Sequence, residues 1–145
     1  EDEFHELALF AAESSLEVNA LTARLELGVC AWTRNDAQAA KSQFEDVRQA
    51  AHGNLFALEF YASLGEAWAQ AAMGQWGDVE LLLIQAEDLK FDVRMHDAEA
   101  ERLRRALRDL AHAANRPDLV ERIDRLNIFH TRSHSTTSGV DATRP

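Results

Sequence analysis

The chain has 145 residues, of which 46% are hydrophobic and 28% charged, a profile typical of one globular domain with a sizeable core. Its net charge of −10 argues against direct binding of nucleic acid, because phosphate contacts require a basic surface. No apolar run approaches the roughly 18 residues of a membrane span, so we expect no membrane partner.

Apolar residues spaced by three and four predict an all-α chain of seven helices. We place these helices near residues 2–14, 16–34, 37–52, 55–73, 75–86, 96–114 and 117–126. Asp36 and Asn54 are the expected N-caps of the third and fourth helices, and Gly53 and Gly74 the expected stops. Pro117 fits the first position of the last helix.

The helical pattern ends near residue 129, which divides the chain into a helical domain, 1–129, and a polar tail, 130–145. The tail is polar and without periodicity, so we expect it to be disordered. Cys30 is the single cysteine and excludes an intramolecular disulfide. Its place between two apolar residues predicts a buried structural thiol, and the composition fits a reducing, cytoplasmic compartment.

Two segments repeat one helix–turn–helix pattern. In the first, a Leu27-Gly28 pair precedes an Asn35-Asp36 turn, then Ala40, then Phe44. This unit resembles a tetratricopeptide repeat, in which small residues let the two helices approach closely and the aromatic side chain fills the space above them. The resemblance implies an α-α superhelix of about three helical hairpins, preceded by one N-terminal helix.

The second unit resembles a degenerate copy of the first, with Leu64-Gly65, Trp68 and a Gly74-Gln75 turn. Its glycine follows Gly28 by 37 residues, whereas the usual period is about 34. Long units of this kind are similar to the sensor domains of MalT-like transcriptional regulators and to the peptide-receptor domains of Gram-positive quorum-sensing proteins. The third unit keeps only the apolar spacing and its turn.

In this family the first helix of each hairpin lines a concave binding face. The resemblance therefore implies a groove with an apolar end, an acidic middle and a basic end. Its expected partner-binding residues are Thr22, Leu25, Val29, Trp32, Glu59, Glu66, Gln70, Arg102 and Arg105. The Lys and Asn clamp by which some members grip a C-terminal carboxylate is absent, since Leu25 and Val29 stand at those positions.

Each of these assignments has a purely structural alternative. Trp32 is either a partner contact or a core residue, and Trp68 and Trp76 are expected in the core. Arg102 and Arg105 either form the basic end of the groove or pair with neighbouring carboxylates on a solvated face. Arg104 and Arg108 carry charge where a further repeat would need apolar contacts, so we expect the last two helices to cap the stack.

No pattern typical of an enzyme is visible. His5 lacks the second histidine of a zinc HExxH motif, and His130 and His134 lack a third ligand. The glycines form no phosphate-binding loop, so we expect no catalysis, no metal and no cofactor.

The leading hypothesis is a non-catalytic scaffold that binds a protein or peptide along its concave face. One alternative is a ligand-sensing or oligomerisation domain of a larger transcriptional regulator. Another is a scaffold that associates with itself as a homo-oligomer.

Overall fold

The computed structural model describes residues 2–89 and 98–126, with side chains from residue 16 onward. All regular structure within these ranges is α-helical, as the periodicity predicts. The helices are α1 (Asp2–Thr33), α2 (Ala37–Ala51), α3 (Phe56–Ala72), α4 (Trp76–Glu87), α5 (Ala98–Ala113) and α6 (Pro117–Asp124). The expected tail, 130–145, lies outside the described residues.

The prediction of two separate helices before residue 35 is wrong. Residues 2–14 and 16–34 belong to one helix, α1, which is 32 residues long. The predicted boundary near residue 15 contains neither glycine nor proline, and Ser14 and Ser15 each cost a helix only a few tenths of a kcal/mol. Six helices therefore occupy the described ranges where seven were expected.

The turns follow the sequence signals with one exception. The Asp36 carboxylate accepts a hydrogen bond from the backbone N–H of Ala39 at 3.2 Å, which confirms it as the N-cap of α2. The expected cap at Asn54 is wrong, because α3 begins after Leu55 without a side-chain cap. The Glu59 carboxylate instead reaches back to the backbone N–H of Gly53 at 3.2 Å.

Helix α3 occupies the centre of the molecule. It contacts α1 and α2 on the N-terminal side and α4 and α5 on the C-terminal side, while α6 packs on α5 and α4. Nearly every residue from Glu59 to Ala71 is consequently buried. The core has two clusters that meet along α3 and α5, one built with α1 and α2 and the other with α4 and α6.

Phe44 of α2 is fully buried and fills the space between two glycines. A Cβ atom on Gly28 of α1 would lie 2.8 Å from its ring, and one on Gly65 of α3 would lie 2.5 Å from it. Such distances are shorter than van der Waals contact, so only glycine fits at either position. The role expected for Gly28 and Phe44 is confirmed, and Gly65 of the second unit contacts the same ring.

Two further expectations meet different outcomes. Trp68 is 5% exposed and belongs to the core, as predicted. Cys30, however, is exposed, so the prediction of a buried thiol is wrong. The adjacent Val29 occupies the buried face of α1. Because each residue along a helix rotates the side chain by about 100°, Cys30 points away from this face.

Ion pairs join α5 to α6 at the C-terminal end of the described residues. Arg104 contacts both Glu101, at 2.7 Å, and Asp124 of α6, at 3.5 Å, and Arg108 contacts Asp124 at 2.8 Å. The hydrogen bonds from Arg104 hold the pKa of the buried Glu101 below its ordinary value of 4.5. Arg104 and Arg108 therefore form ion pairs within the fold, with Asp124 of α6.

No helix within residues 2–89 and 98–126 is both long enough and apolar enough to cross a membrane.

The Phe44 contact predicts that Gly65→Ala lowers the free energy of unfolding by about 1–3 kcal/mol, since the new methyl group would overlap the ring. Gly77→Ala is the matched control, because that helical glycine has open space around it and should gain up to about 1 kcal/mol. Urea denaturation followed by circular dichroism measures both changes. Equal effects at the two positions would contradict the assigned role of Phe44.

The lowered pKa of Glu101 predicts a pH-dependent contribution to stability. A depressed pKa stabilises the fold above the unfolded-state value of about 4.5, and this contribution is lost as the pH falls through the folded-state value. Glu101→Gln should therefore lower the free energy of unfolding by about 1–3 kcal/mol at pH 7. The deficit should shrink towards acid, whereas Asp109→Asn, on an exposed position of the same helix, should show little deficit. A deficit that stays constant with pH would refute this role.

Candidate functional site

Each of the three odd-numbered helices, α1, α3 and α5, carries partly buried apolar side chains. Trp32, Leu58, Tyr61, Ala106 and Leu110 are partly buried and pack against the same core cluster, and we call them the odd-helix strip. Trp32 of α1 meets Trp68 of α3 edge to face, with ring centroids 6.4 Å apart and an interplanar angle of 71°. Trp32 and Tyr61 are therefore the partly exposed aromatic side chains of the strip, whereas Trp68 is buried beneath Trp32.

Polar groups border the strip where α3 approaches α5. The Tyr61 hydroxyl donates a hydrogen bond to Oε1 of Glu99 at 2.8 Å, which ties the two helices together. The other oxygen of Glu99 lies 3.8 Å from the guanidinium of Arg102, whose side chain is 58% exposed. An apolar surface with an adjoining carboxylate and guanidinium has the composition of a small protein interface.

The expected site residues of α1 fall on different surfaces. Trp32 is half-buried in the strip. Leu25 and Val29 are each 4% exposed and belong to the core, so they offer a partner almost no area. Thr22 is exposed, and its hydroxyl donates to the backbone carbonyl of Val18 one turn earlier, at 2.8 Å. The apolar end of the predicted groove is therefore interior, apart from Trp32.

The expected acidic middle of the groove is also buried. Glu59 accepts a hydrogen bond from Gly53 and lies 2.8 Å from Nδ1 of His52, and Glu66 is bonded to Arg48 of α2. Gln70 is 5% exposed, and its Oε1 has no hydrogen-bond partner among the described residues. All three side chains are therefore buried against neighbouring helices, and Glu59 and Glu66 contact α2 and the turn that follows it.

The expected basic end of the groove is exposed but neutralised. Arg102 faces Glu99, and Arg105, 69% exposed, contacts Glu101 at 2.9 Å. These contacts follow the alternative in which the arginines pair with neighbouring carboxylates along α5. Arg102 remains next to the strip, through Glu99, whereas Arg105 interacts with the charged cluster between α5 and α6.

A separate pocket of about 490 Å³ opens between α5 and α6. Its lining combines four basic side chains, two carboxylates and apolar groups: Arg108, His112, Asn115, Arg116, Pro117, Val120, Glu121, Asp124 and Arg125. Its arginines are ion-paired, Arg108 with Asp124, Arg116 with Asp118, and Arg125 with Glu87. Arg116 also lies over the ring of Trp76, 6.0 Å from its centroid.

No group of three or more potential metal ligands is clustered within the described ranges. Chemically, the odd-helix strip offers apolar area at Trp32 and at Tyr61, and the polar groups at its border can orient a bound segment by hydrogen bonds and charge. Tyr61 and Glu99 were not predicted as parts of such a site. Their spacing of 38 residues carries no local signal, and only the packing of α3 against α5 brings them together.

Comparison with known proteins finds no matching family model, no matching curated protein and no matching solved structure.

Proposed function

We propose that this chain is a non-catalytic helical-repeat module that binds a segment of another protein along the odd-helix strip. The arrangement of contacts supports a stack of three hairpins, α1/α2, α3/α4 and α5/α6, with α1, α3 and α5 adjacent in that order. The shared Phe44 contact with Gly28 and Gly65 supports tetratricopeptide-like units. In a solenoid of such units the odd-numbered helices line the concave face.

The observation that carries this proposal is the pair of half-buried aromatic side chains, Trp32 and Tyr61, held on one core cluster by three helices. Rigid aromatic side chains on packed helices are typical anchors of protein interfaces, because little conformational entropy is lost when a partner covers them. The preferred partner segment places one apolar side chain against Trp32 and another against Tyr61. Glu99 and Arg102 set its orientation by charge.

An exposed free thiol at Cys30 agrees with a cytoplasmic setting, where thiols remain reduced. Glu59 and Glu66 are buried and bonded to neighbouring groups, so in this module their role is structural and not partner recognition. Discrimination between partners then falls to the strip and its border.

The proposal predicts that peptides selected from a displayed random library share an apolar anchor residue and lose affinity when the strip is altered. Trp32→Ala should raise the dissociation constant of such a peptide by about tenfold or more, as at a central interface residue. Ala106→Arg should do the same by covering the strip while leaving the aromatic rings in place. Fluorescence polarisation measures both.

The matched control is Ala50→Arg, at an exposed position of α2, which should leave the affinity unchanged. Circular dichroism establishes that all variants remain folded, since Trp32 also packs against Trp68. Selected peptides that bind the two strip variants as tightly as the unaltered protein would overturn the site. A library that yields no binding peptide would overturn the function.

A second candidate function, the sensing of a small ligand for a larger regulator, is favoured by the pocket between α5 and α6. Its volume of about 490 Å³ is in the range of small-molecule sites, which run from about 300 to 1,000 Å³. Its three arginines are ion-paired but keep further N–H donors, and together with His112 they favour a small anion such as a phosphorylated or carboxylated metabolite.

This second candidate predicts that one member of a panel of organic phosphates and carboxylates raises the melting temperature of the protein. The shift should disappear in His112→Ala/Arg125→Ala, at the pocket, and persist in Trp32→Ala. A panel without effect, or a shift that survives the pocket variant, would count against ligand sensing at this pocket.

A further inference from the structure

The outer face of α1 carries an apolar stripe that nothing in the described fold covers. Leu16, Ala20, Ala23, Leu27 and Cys30 are all exposed, and the two leucines are 68% and 55% exposed. Their spacing alternates between four and three residues, which places them along one side of the helix. This alternation is the seam by which one α-helix packs along another, so the chemistry of the stripe fits a helical partner.

The stripe has the same order of residues in both directions. Leu16, Ala20, Ala23 and Leu27 are separated by four, three and four residues, so reversal of the helix exchanges each leucine with the other and each alanine with the other. Two antiparallel copies of α1 therefore place Leu16 of each copy against Leu27 of the other, and Ala20 of each copy against Ala23 of the other. A two-fold symmetric interface requires this reciprocity, in which residue i contacts j and j contacts i.

The charges beside the stripe favour the same orientation. Glu17 and Arg24 lie on one flank, seven residues apart, and antiparallel pairing brings Glu17 of each copy next to Arg24 of the other. Parallel pairing would set this flank against the flank of Asn19 and Glu26, where Glu17 meets no opposite charge. Arg24 also contacts Asp46 at 2.8 Å, but it is 47% exposed and its guanidinium has further donors for a second carboxylate.

We propose that the exposed face of α1 between Leu16 and Leu27 pairs with the same face of a second copy of this chain in a two-fold antiparallel arrangement. The central alanines allow the two helices to approach closely, and the leucines close the seam at both ends. Four apolar layers form a small interface, so we expect a weak dimer with a dissociation constant on the order of micromolar or higher. The stripe does not include Trp32 or Tyr61, so the dimer proposal and the proposal of partner binding can be tested independently.

Sedimentation velocity over a range of concentrations that spans this value tests the proposal. The unaltered protein should form a dimer, and Leu27→Glu should raise its dissociation constant at least about tenfold, because it places a carboxylate within the seam. Leu81→Glu is the matched control, since Leu81 of α4 is also 55% exposed and lies outside the stripe. A monomer at every concentration, or equal loss in the two variants, would overturn the proposal.

Charge exchange and cross-linking test the orientation. Glu17→Arg should weaken the dimer, and Glu17→Arg/Arg24→Glu should restore it. In a Cys30→Ser background, a mixture of Leu16→Cys and Leu27→Cys chains should form a disulfide-linked heterodimer under mild oxidation. Each variant alone should remain uncross-linked, because an antiparallel pair separates like residues by about 16 Å along the axis. Cross-linking of each variant with itself would show a parallel pair and refute the arrangement.

Discussion

The contact of Phe44 with Gly28 and Gly65 is the constraint on which the arrangement of the first three helices depends. The ring is fully buried, and the backbones of α1 and α3 approach it where any side chain would overlap it. Because the ring contacts both helices, it sets the spacing of α1 and α3 as well as the spacing of each from α2. Trp32 and Trp68, on the same two helices, can meet edge to face only at such a spacing.

The central position of α3 decides the chemistry of its polar residues. A helix packed by four neighbours has little free surface, so its carboxylates must find partners within the fold. Glu66 is bonded to Arg48, and Glu59 secures the turn at Gly53 and the side chain of His52. Residues that would form an acidic surface on an exposed helix therefore become connections between α2 and α3.

The two ends of the helical array differ in surface chemistry. At the C-terminal end, Arg104 and Arg108 are paired with Glu101 and Asp124, so charge is neutralised between α5 and α6. The outer face of α1 instead presents two exposed leucines along a seam of small residues. The charges at the C-terminal end are satisfied between α5 and α6, whereas an apolar seam gains free energy when a helix packs against it. This contrast distinguishes the face that we propose as a dimer interface from its opposite end.

The sequence by itself determined the helices and most of their boundaries. Apolar spacing predicted the helices, and Asp36 and Pro117 predicted where α2 and α6 begin, because these signals act within a few residues of each other. The close contact of Gly28 with Phe44 was expected from the resemblance to a tetratricopeptide repeat. The predicted break near residue 15 was wrong, since only a weak propensity stood against a continuous helix.

The tertiary structure decided which faces of the helices are covered. Leu25 and Val29 became core, Glu59 and Glu66 turned inward, and Tyr61 met Glu99 across 38 residues. Burial depends on which helices surround a residue, and that neighbourhood is set by packing between segments far apart in the chain.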